Sequence, residues 1–389
     1  MIRWEIGEAV EIISENERMQ ELIVKLRDGS NARAVHDADT MPPVRTGDVL
    51  LLNTTAVHLN LGSGGVHFVH ANLSESADRL HEHAQRFQYE KGHIMKLKYT
   101  SLQRRVLAAE EEESGFQDVF DKDCHLERAP VLIGELHSML PAAALWLHRH
   151  KSIEGDDGVR KKLPRIAYIM SDGGALPLAW SRHVRVLQQQ LGIVTGTVTY
   201  GQAYGGDLEA VNKFTALLAA KHILKADIII AAMGPGIAGT GTVLGHSAME
   251  VGEIINAAAI LQGTPIIMPR VSFADERKRH YGISHHTLTH LSLTALRPAI
   301  VPFPAQIPDK YIQLLRQQLQ AASVFAKHDV RFASGVDLQE IADLFDAYPI
   351  PITTMGRTVR EDPYFFLSVC TAAQAAENIW TELSENQQV

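Results

Sequence analysis

The segment from Arg270 to His286 is the part of the chain richest in side chains that could do chemistry. It combines guanidinium, carboxylate, hydroxyl and imidazole groups on Arg270, Ser272, Asp275, Arg277, Arg279, His280, Ser284, His285 and His286. Arginines bind phosphate or carboxylate groups through paired hydrogen bonds, and histidines transfer protons near neutral pH. We therefore predict ligand contacts from the three arginines and Asp275, and catalytic roles for His280, His285 and His286. The alternative is a solvated basic loop with Ser284 as a helix cap.

A glycine-rich segment supplies a second set of candidates. Gly234, Gly236 and Gly239 match the G-x-G-x-x-G pattern directly after a predicted strand, and Thr240 follows them. Glycines let a backbone approach a phosphate closely, so we predict that these four residues cradle an anion. The match to a dinucleotide fingerprint is weaker, because the motif follows the fourth strand of its domain and Pro235 lacks an N–H donor. A plain tight turn is an equal alternative.

Asp172 follows the second predicted strand of the same domain, within a Ser-Asp-Gly-Gly sequence. The serine does not fit a nucleophile elbow, which needs glycine at the position that Ile169 occupies. We predict that Asp172 is a general base or a hydrogen-bond partner. Asp207 is interpreted as a helix N-cap, and Glu135 and His137 as supporting residues at the end of the first strand.

Two histidine patterns could bind a metal, but each departs from a metal motif. His286 and His290 are four residues apart, yet the glutamate of H-E-x-x-H is missing between them. His246, Glu250 and Glu253 would share one helix face, which is more often the solvated side of an amphipathic helix. The sequence therefore does not favour a metal ion, and the cofactor is left unassigned.

Short apolar strands alternate with helices from residue 130 onward, and these elements must position the candidates. The predicted strands are 131–135, 165–170, 193–200, 226–233, 265–268 and 299–303. Such alternation is typical of a mostly parallel, doubly wound α/β sheet that is covered on both faces. Ligands bind these sheets at the carboxyl ends of the strands, where the glycine-rich and arginine-rich segments fall.

We divide the chain into a β-rich domain (1–72), a mixed connecting segment (73–128) and the α/β domain with the site (129–389). Short β-prone runs between turn residues predict a small barrel or sandwich for the first domain. Residues 55–59 are predicted as one of its strands, and residues 102–113 of the connecting segment as a helix.

The overall composition narrows the classes of partner. A net charge of −8 disfavours a nucleic-acid backbone as ligand. No apolar stretch reaches the ~18 residues that a membrane helix needs, and the N-terminus does not resemble a signal peptide. Two cysteines give no disulfide framework of the secreted type. We expect a cytoplasmic protein without nucleic-acid or membrane partners, and a homodimer on base rates.

Five blocks of sequence resemble a bacterial family known as domain of unknown function 3866. They are LHSMLP (136–141), SDGGALP (171–177), GQAYGGD (201–207), MGPGIAGTGT (233–242) and SHHT (284–287). The resemblance runs over nearly the whole chain and implies one recurrent architecture. It implies no activity and no catalytic residues.

These features predict an enzyme, of unassigned reaction class, that acts on a small anionic metabolite such as a phosphorylated compound. The first alternative is a non-catalytic ligand sensor or scaffold protein that uses the same strand ends without turnover. The second is an NAD(P)-dependent oxidoreductase.

Overall fold

The structure is a computed structural model that describes residues 1–61, 65–86, 91–122, 125–152, 162–171 and 177–386. One candidate from the sequence, Asp172, lies outside these residues. The chain divides into two compact units, one of Met1–Lys91 with Lys98–Arg105 and the other of Gly92–Leu97 with Val106–Val389. Within the described residues, no helix combines the length and apolar character that crossing a membrane requires.

The first unit is built on a closed five-stranded barrel. Its strands are β1 (Trp4–Glu15), β2 (Met19–Leu26), β3 (Asn31–Asp37), β4 (Val49–Asn53) and β5 (Val66–Asn72). They follow one another around the barrel as β1-β2-β3-β5-β4, and β4 closes it by antiparallel pairing with β1. Alternate side chains point inward, so Leu22, Val24, Leu50 and Leu52 form a small apolar core. The prediction of a barrel or sandwich is confirmed as a barrel.

Two short helices accompany the barrel, α1 (Thr55–His58) and α2 (Ala77–Gln85). The prediction of a strand at 55–59 is wrong, because Asn53 accepts a hydrogen bond from the backbone N–H of Thr55 and starts a turn (3.1 Å). Asn60 then takes a left-handed conformation (φ 53°), which ends that turn after α1.

The segment after the barrel contains β6 (Ile94–Lys96), β7 (Arg104–Val106) and α3 (Gln117–Lys122). The prediction of a helix over 102–113 is wrong. The Glu111 carboxylate accepts backbone N–H groups from His93 (2.6 Å) and Ala108 (2.7 Å), so it fastens two loops together. A side chain that bonds local backbone in this way competes with helix formation.

An eight-stranded, wholly parallel sheet forms the centre of the second unit. Its strands are β8 (Pro130–Gly134), β9 (Ile166–Ser171), β10 (Val194–Tyr200), β11 (Leu208–Ala210), β12 (Ile228–Met233), β13 (Thr264–Ile267), β16 (Ile300–Pro304) and β17 (Asp329–Ala333). A separate two-stranded hairpin consists of β14 (Val271–Ser272) and β15 (Gly282–Ile283). The order across the sheet is β11-β10-β9-β12-β8-β13-β16-β17. Every residue of β8, β9 and β12 is buried, as expected for strands covered on both faces.

The helices of this unit lie on both faces of the sheet. They are α4 (Met139–Leu147), α5 (Arg182–Arg185), α6 (Lys213–Leu218), α7 (Met249–Ile260), α8 (His285–Thr289), α9 (Asp309–Ala321), α10 (Leu338–Asp346) and α11 (Pro363–Asn386). The crossover from β8 to β9 runs toward one edge of the sheet, and that from β12 to β13 toward the other. Because parallel crossovers are right-handed, α4 and α7 cover opposite faces. The predicted doubly wound parallel sheet is confirmed.

Asp207 does not cap a helix, contrary to the interpretation from sequence. Its carboxylate accepts the backbone N–H and the hydroxyl of Thr197 on β10, both at 2.8 Å. The residues after it form the edge strand β11, and α6 begins only after Asn212, whose side chain accepts the N–H groups of Phe214 and Thr215. Asp207 therefore anchors the edge of the sheet.

Candidate functional site

The loops that follow three adjacent strands, β12, β8 and β13, bring polar side chains together at one edge of the sheet. β8 lies between the other two, and the chain leaves β8 and β13 toward opposite edges. Such a topological switch point is where ligands bind open α/β sheets. Glu135 follows β8 directly, His246 lies in the loop after β12, and the arginine-rich segment follows β13.

The loop after β13 is shaped by the β14–β15 hairpin, which carries Arg277 to His280 at its tip. Ser284 follows the hairpin and caps α8, because its hydroxyl accepts the backbone N–H of His286 at 3.2 Å. The cap fixes the start of α8, so His285 and His286 occupy its first turn.

Four histidines form a cluster above these strand ends, and we call His246, His280, His285 and His286 the histidine cluster. The rings of His246 and His286 are stacked with centroids 4.0 Å apart, and those of His285 and His286 are 4.3 Å apart. His280 lies 5.0 Å from His285. Two of the three loops therefore contribute imidazoles to one compact group.

His280 has both of its ring nitrogens engaged. Nε2 accepts a hydrogen bond from Nε–H of Arg279 at 3.3 Å, so the ring proton must lie on Nδ1. Nδ1 then donates to the Ser284 hydroxyl at 2.9 Å. His280 is thus a link between Arg279 and the cap of α8, and it has no free lone pair for a ligand.

The other three histidines retain nitrogens without hydrogen bonds among the described residues. These are both ring nitrogens of His246, Nε2 of His285 and Nδ1 of His286. The carbonyl of Val243 supports His246 electrostatically but makes no hydrogen bond of good geometry with it. His246 and His286 are buried, with 7% and 6% of their surfaces exposed. Bulk water therefore has little access to their unpaired ring nitrogens.

Burial keeps the histidine cluster neutral at neutral pH. It lowers the pKa of His286 to about 2 and that of His280 to about 3, with neighbouring histidines and arginines adding to the effect. Burial is also the main cause that lowers the pKa values of His246 and His285. Neutral imidazoles can accept protons or bind a metal ion.

Glu135 lies beneath the cluster and is almost wholly buried. Its Oε2 accepts the Thr287 hydroxyl at 3.0 Å, and its Oε1 lies 3.5 Å from Nη1 of Arg270 and 3.7 Å from Nδ1 of His286. Burial raises the pKa of the Glu135 carboxyl, while Arg270 and Thr287 oppose that rise. Glu135 therefore joins the end of β8 to the segment that follows β13.

Asp275 is the centre of a second set of ion pairs. Arg277 contacts it with two side-chain hydrogen bonds, of 2.9 and 2.7 Å, and holds the pKa of the Asp275 carboxyl well below its usual range. Arg270 and Arg357 reach the same carboxylate at 3.7 and 3.6 Å. Arg357 also pairs with buried Asp362 at 3.0 Å. These arginines are thus already matched by carboxylates.

Arg279 differs from these arginines because no described carboxylate pairs with it. Its side chain is exposed and lies against the glycine-rich loop, where a Cβ on Gly241 would be 3.6 Å from Nη1. A Cβ on Gly239 would lie 3.5 Å from Nε2 of His286. The absence of side chains at the two glycines therefore leaves space beside Arg279 and above His286.

The rest of the glycine-rich loop stands apart from this arrangement. A side chain on Gly236 would meet nothing within 4 Å, and Thr240 bonds within its own loop to Thr242 and Gly245. Gly234 is buried directly after β12. Helix α7 begins only at Met249, so no helix N-terminus lies at the third glycine as the dinucleotide fingerprint requires.

The structure thus gathers most of the residues named from the sequence into one site. Those brought together are Gly239, Arg270, Asp275, Arg277, Arg279, His280, His285 and His286. The proposed stripe of His246 with Glu250 and Glu253 does not form. His246 precedes α7, Glu250 accepts the Tyr200 hydroxyl, and both glutamates contact Lys213. His290 is wholly buried, and it is not one of the three histidines whose ring nitrogens lie within 4.8 Å of one another.

Sequence reasoning underestimated Glu135 and missed a second polar cluster at the end of β8. There Nε2 of His137 lies 2.6 Å from the Ser181 hydroxyl, and Nδ1 lies 3.3 Å from the Tyr168 hydroxyl. Burial lowers the pKa of His137 to about 3. Ser181 is buried and caps α5, so this cluster packs the interior. The signal for both was the same, a polar residue directly after a continuous apolar strand.

Comparison with known families gives one match over most of the chain. A family model described as "Protein of unknown function (DUF3866)" covers residues 33–373. No curated protein matches the chain. The blocks at 136–141, 171–177, 201–207, 233–242 and 284–287 all fall within the matched residues, and so do the three loops of the site.

Proposed function

Because the chain belongs to the DUF3866 family, whose description assigns no activity, we propose from the geometry that it is an enzyme acting on a small anionic metabolite. The observation that carries the proposal is Arg279, an exposed cation without a carboxylate partner that lies beside a glycine-rich loop and the histidine cluster. A phosphorylated or carboxylated compound would supply the missing negative charge.

The charges around the site favour Arg279 as the first ligand contact. Arg270 pairs with Glu135, and Arg277 pairs with Asp275. These two arginines therefore mainly stabilise the loops. A guanidinium group already bound to a carboxylate has fewer free donors for a ligand. Arg279 has Nη1 and Nη2 free of carboxylates among the described residues, and Gly241 leaves room for an anion to reach it.

The histidines support an enzyme over a sensor. Nε2 of His285 has no hydrogen-bond partner, and Nε2 of His286 faces the open side of Gly239. A neutral imidazole beside a bound anion can transfer a proton or hold a metal ion that polarises the substrate. A sensor or scaffold protein needs only the contact with the anion, so it would not use these imidazole nitrogens.

A thermal-shift screen tests the anion site. Purified protein is heated with phosphorylated metabolites, carboxylates and nucleotides at matched ionic strength, and a compound at 100 times its dissociation constant should stabilise the protein by about 2.7 kcal/mol. Arg279→Ala should abolish the shift. Lys278→Ala is the matched control, because it removes the same charge from the neighbouring exposed residue. A shift that survives in Arg279→Ala, or no shift with any compound, contradicts the proposed site.

A turnover assay separates the enzyme from the sensor. Each stabilising compound is incubated with the protein and followed by mass spectrometry or phosphorus NMR. Conversion by the wild type that His285→Gln lowers by at least about 100-fold supports catalysis, since a positioned acid–base group contributes that much. Stable binding of an unchanged compound supports the sensor.

A further inference from the structure

We infer that His246, His285 and His286 form a binding site for one transition-metal ion of the zinc class, with a position left open for a further ligand. Each residue offers a ring nitrogen, and the three nitrogens lie within 4.8 Å of one another. The inference goes beyond the proposed function, because it rests on these three side chains and holds whether or not an anion binds at Arg279.

The separation of the nitrogens is close to what a metal needs. Zinc binds histidine nitrogens at 2.0–2.1 Å in tetrahedral geometry, which places two ligand nitrogens roughly 3.3 Å apart. Closing from 4.8 Å or less to that distance requires rotation of the imidazole rings about their side-chain bonds. The rings of His246 and His286 are stacked with an interplanar angle of 18°, so coordination turns one of them out of the stack.

The unpaired nitrogens explain why an ion would be held here. Both ring nitrogens of His246 and Nε2 of His285 lack hydrogen bonds among the described residues. A buried polar atom without a partner costs about 1–3 kcal/mol. A metal ion would satisfy one lone pair on each ring at once.

Glu135 lies where a metal-binding histidine needs a carboxylate. Nδ1 of His286 is 3.7 Å from Oε1 of Glu135, on the side of the ring away from Gly239. Histidine ligands commonly donate their second N–H to a carboxylate, which fixes the tautomer and strengthens the bond to the metal. With the proton on Nδ1, Nε2 of His286 is the ligand, and it points to the open side of the glycine-rich loop.

The donor set favours some metals over others. Three neutral imidazoles suit zinc, copper and nickel, whereas magnesium and calcium prefer oxygen ligands. Three histidine ligands with an open fourth position are also typical of catalytic rather than structural zinc sites. The nearby cation Arg270 is balanced by Glu135, so its charge does not exclude a divalent ion.

Metal binding is measured on the tag-free, full-length chain without any substrate. Chelator-treated protein is titrated with Co²⁺, whose visible d–d bands report the ligand geometry, and with Zn²⁺ against a chromophoric chelator. We expect one ion per chain. We also expect affinity to fall by at least about 100-fold in His285→Ala and in His246→Ala, because even the loss of a carboxylate behind a ligand costs 10–100-fold.

His93→Ala is the control, since the side chain of His93 is 78% exposed and lies outside the cluster. Circular dichroism of each metal-free variant checks that it folds, and His285 is the more informative position because it is only half-buried. Equal affinity in wild type and His285→Ala, or binding of several ions that no variant changes, overturns the inference. The thermal shift that an anion produces is measured with and without the metal ion. This comparison distinguishes the two proposals, because either one can fail while the other holds.

Discussion

Glu135 and His286 meet at the edge of the sheet, with Oε1 of the carboxylate 3.7 Å from Nδ1 of the imidazole. Glu135 directly follows the central strand β8, whereas His286 lies in the first turn of α8, after β13. Glu135 also contacts Arg270 and Thr287, so one buried carboxylate fixes the orientation of three side chains from another loop. The position of the histidine cluster therefore depends on a residue that lies below it.

Replacing Glu135 by glutamine should destabilise the protein by about 1–3 kcal/mol, since the buried guanidinium of Arg270 loses its nearest carboxylate and keeps only Asp275, at 3.7 Å. Urea unfolding followed by circular dichroism measures the loss. Glu276→Gln is the control, because Glu276 is exposed on the segment that carries Arg270 and its replacement should change stability by less than about 0.5 kcal/mol.

The double variant Glu135→Gln/Arg270→Met tests whether the loss comes from the pair. Its loss of stability should be smaller than the sum of the two single losses by about 0.5–3 kcal/mol, because the second change removes the buried charge that has lost its nearest partner. Strictly additive losses would show that Glu135 and Arg270 do not stabilise each other, and would contradict the pairing.

Arg277 should matter less for a bound anion than its exposure suggests. Its guanidinium forms two hydrogen bonds to Asp275, and its side chain is 41% exposed. We expect Arg277→Ala to change stability by about 1 kcal/mol or less, as for other partly exposed pairs. We expect it to weaken binding of a proven anion by less than about tenfold, a change of 1.4 kcal/mol. Isothermal titration calorimetry measures the anion affinity of Arg277→Ala and of Arg279→Ala. A larger loss of affinity in Arg277→Ala would make Arg277, and not Arg279, the main ligand contact.

The elements of the fold could be predicted, but their arrangement could not. A strand is predicted over residues 226–233, which are apolar without a break from Ile228 on, and the structure has β12 at Ile228–Met233. Nothing in that run tells which strands flank it, because periodicity reports burial and not neighbours. β12 lies between β9 and β8. That insertion is what brings His246 close to the loops after β8 and β13.

In the candidate site, too, the sequence predicts which segments carry the polar side chains but not which side chains contact each other. The density of arginine and histidine after β13 predicted where polar side chains gather. Arg270 and Arg277 both contact Asp275. Arg279, His280, His285 and His286 form a second connected group. The pairing of Arg270 with Glu135 spans 135 residues of sequence, so only the fold reveals it. His246 was assigned to a helix face because the helix was predicted to begin at 246, whereas α7 begins at Met249.

Gly252 of α7 should not tolerate a methyl group. A Cβ there would lie 2.0 Å from the Thr294 hydroxyl and 3.0 Å from the backbone nitrogen of Ala295. Alanine normally favours a helix by about 1 kcal/mol over glycine. Here overpacking should dominate, and we expect Gly252→Ala to lower the free energy of unfolding by about 1–3 kcal/mol. Chemical denaturation measures the change, and adding Thr294→Ala should recover part of it. Higher stability in the single variant contradicts the packing argument.

His137 should make the stability of the protein depend on pH below neutrality. Burial lowers its pKa to about 3 in the folded chain, whereas an unfolded histidine titrates near 6.5. Between these values the unfolded state binds a proton that the folded state refuses. Stability is therefore complete above the unfolded pKa and declines as the pH falls toward the folded one.

The share of this decline that comes from His137 should be removed by His137→Asn, which keeps a polar side chain near Ser181 but cannot titrate in this range. One such group contributes about 1.4 kcal/mol per pH unit, so the slope of unfolding free energy between about pH 4 and 6 should fall by that amount. Urea midpoints at several pH values measure it, with His93→Asn as the exposed control. An unchanged slope in His137→Asn would mean that the folded chain accepts a proton on His137, which would require the contacts with Ser181 and Tyr168 to rearrange.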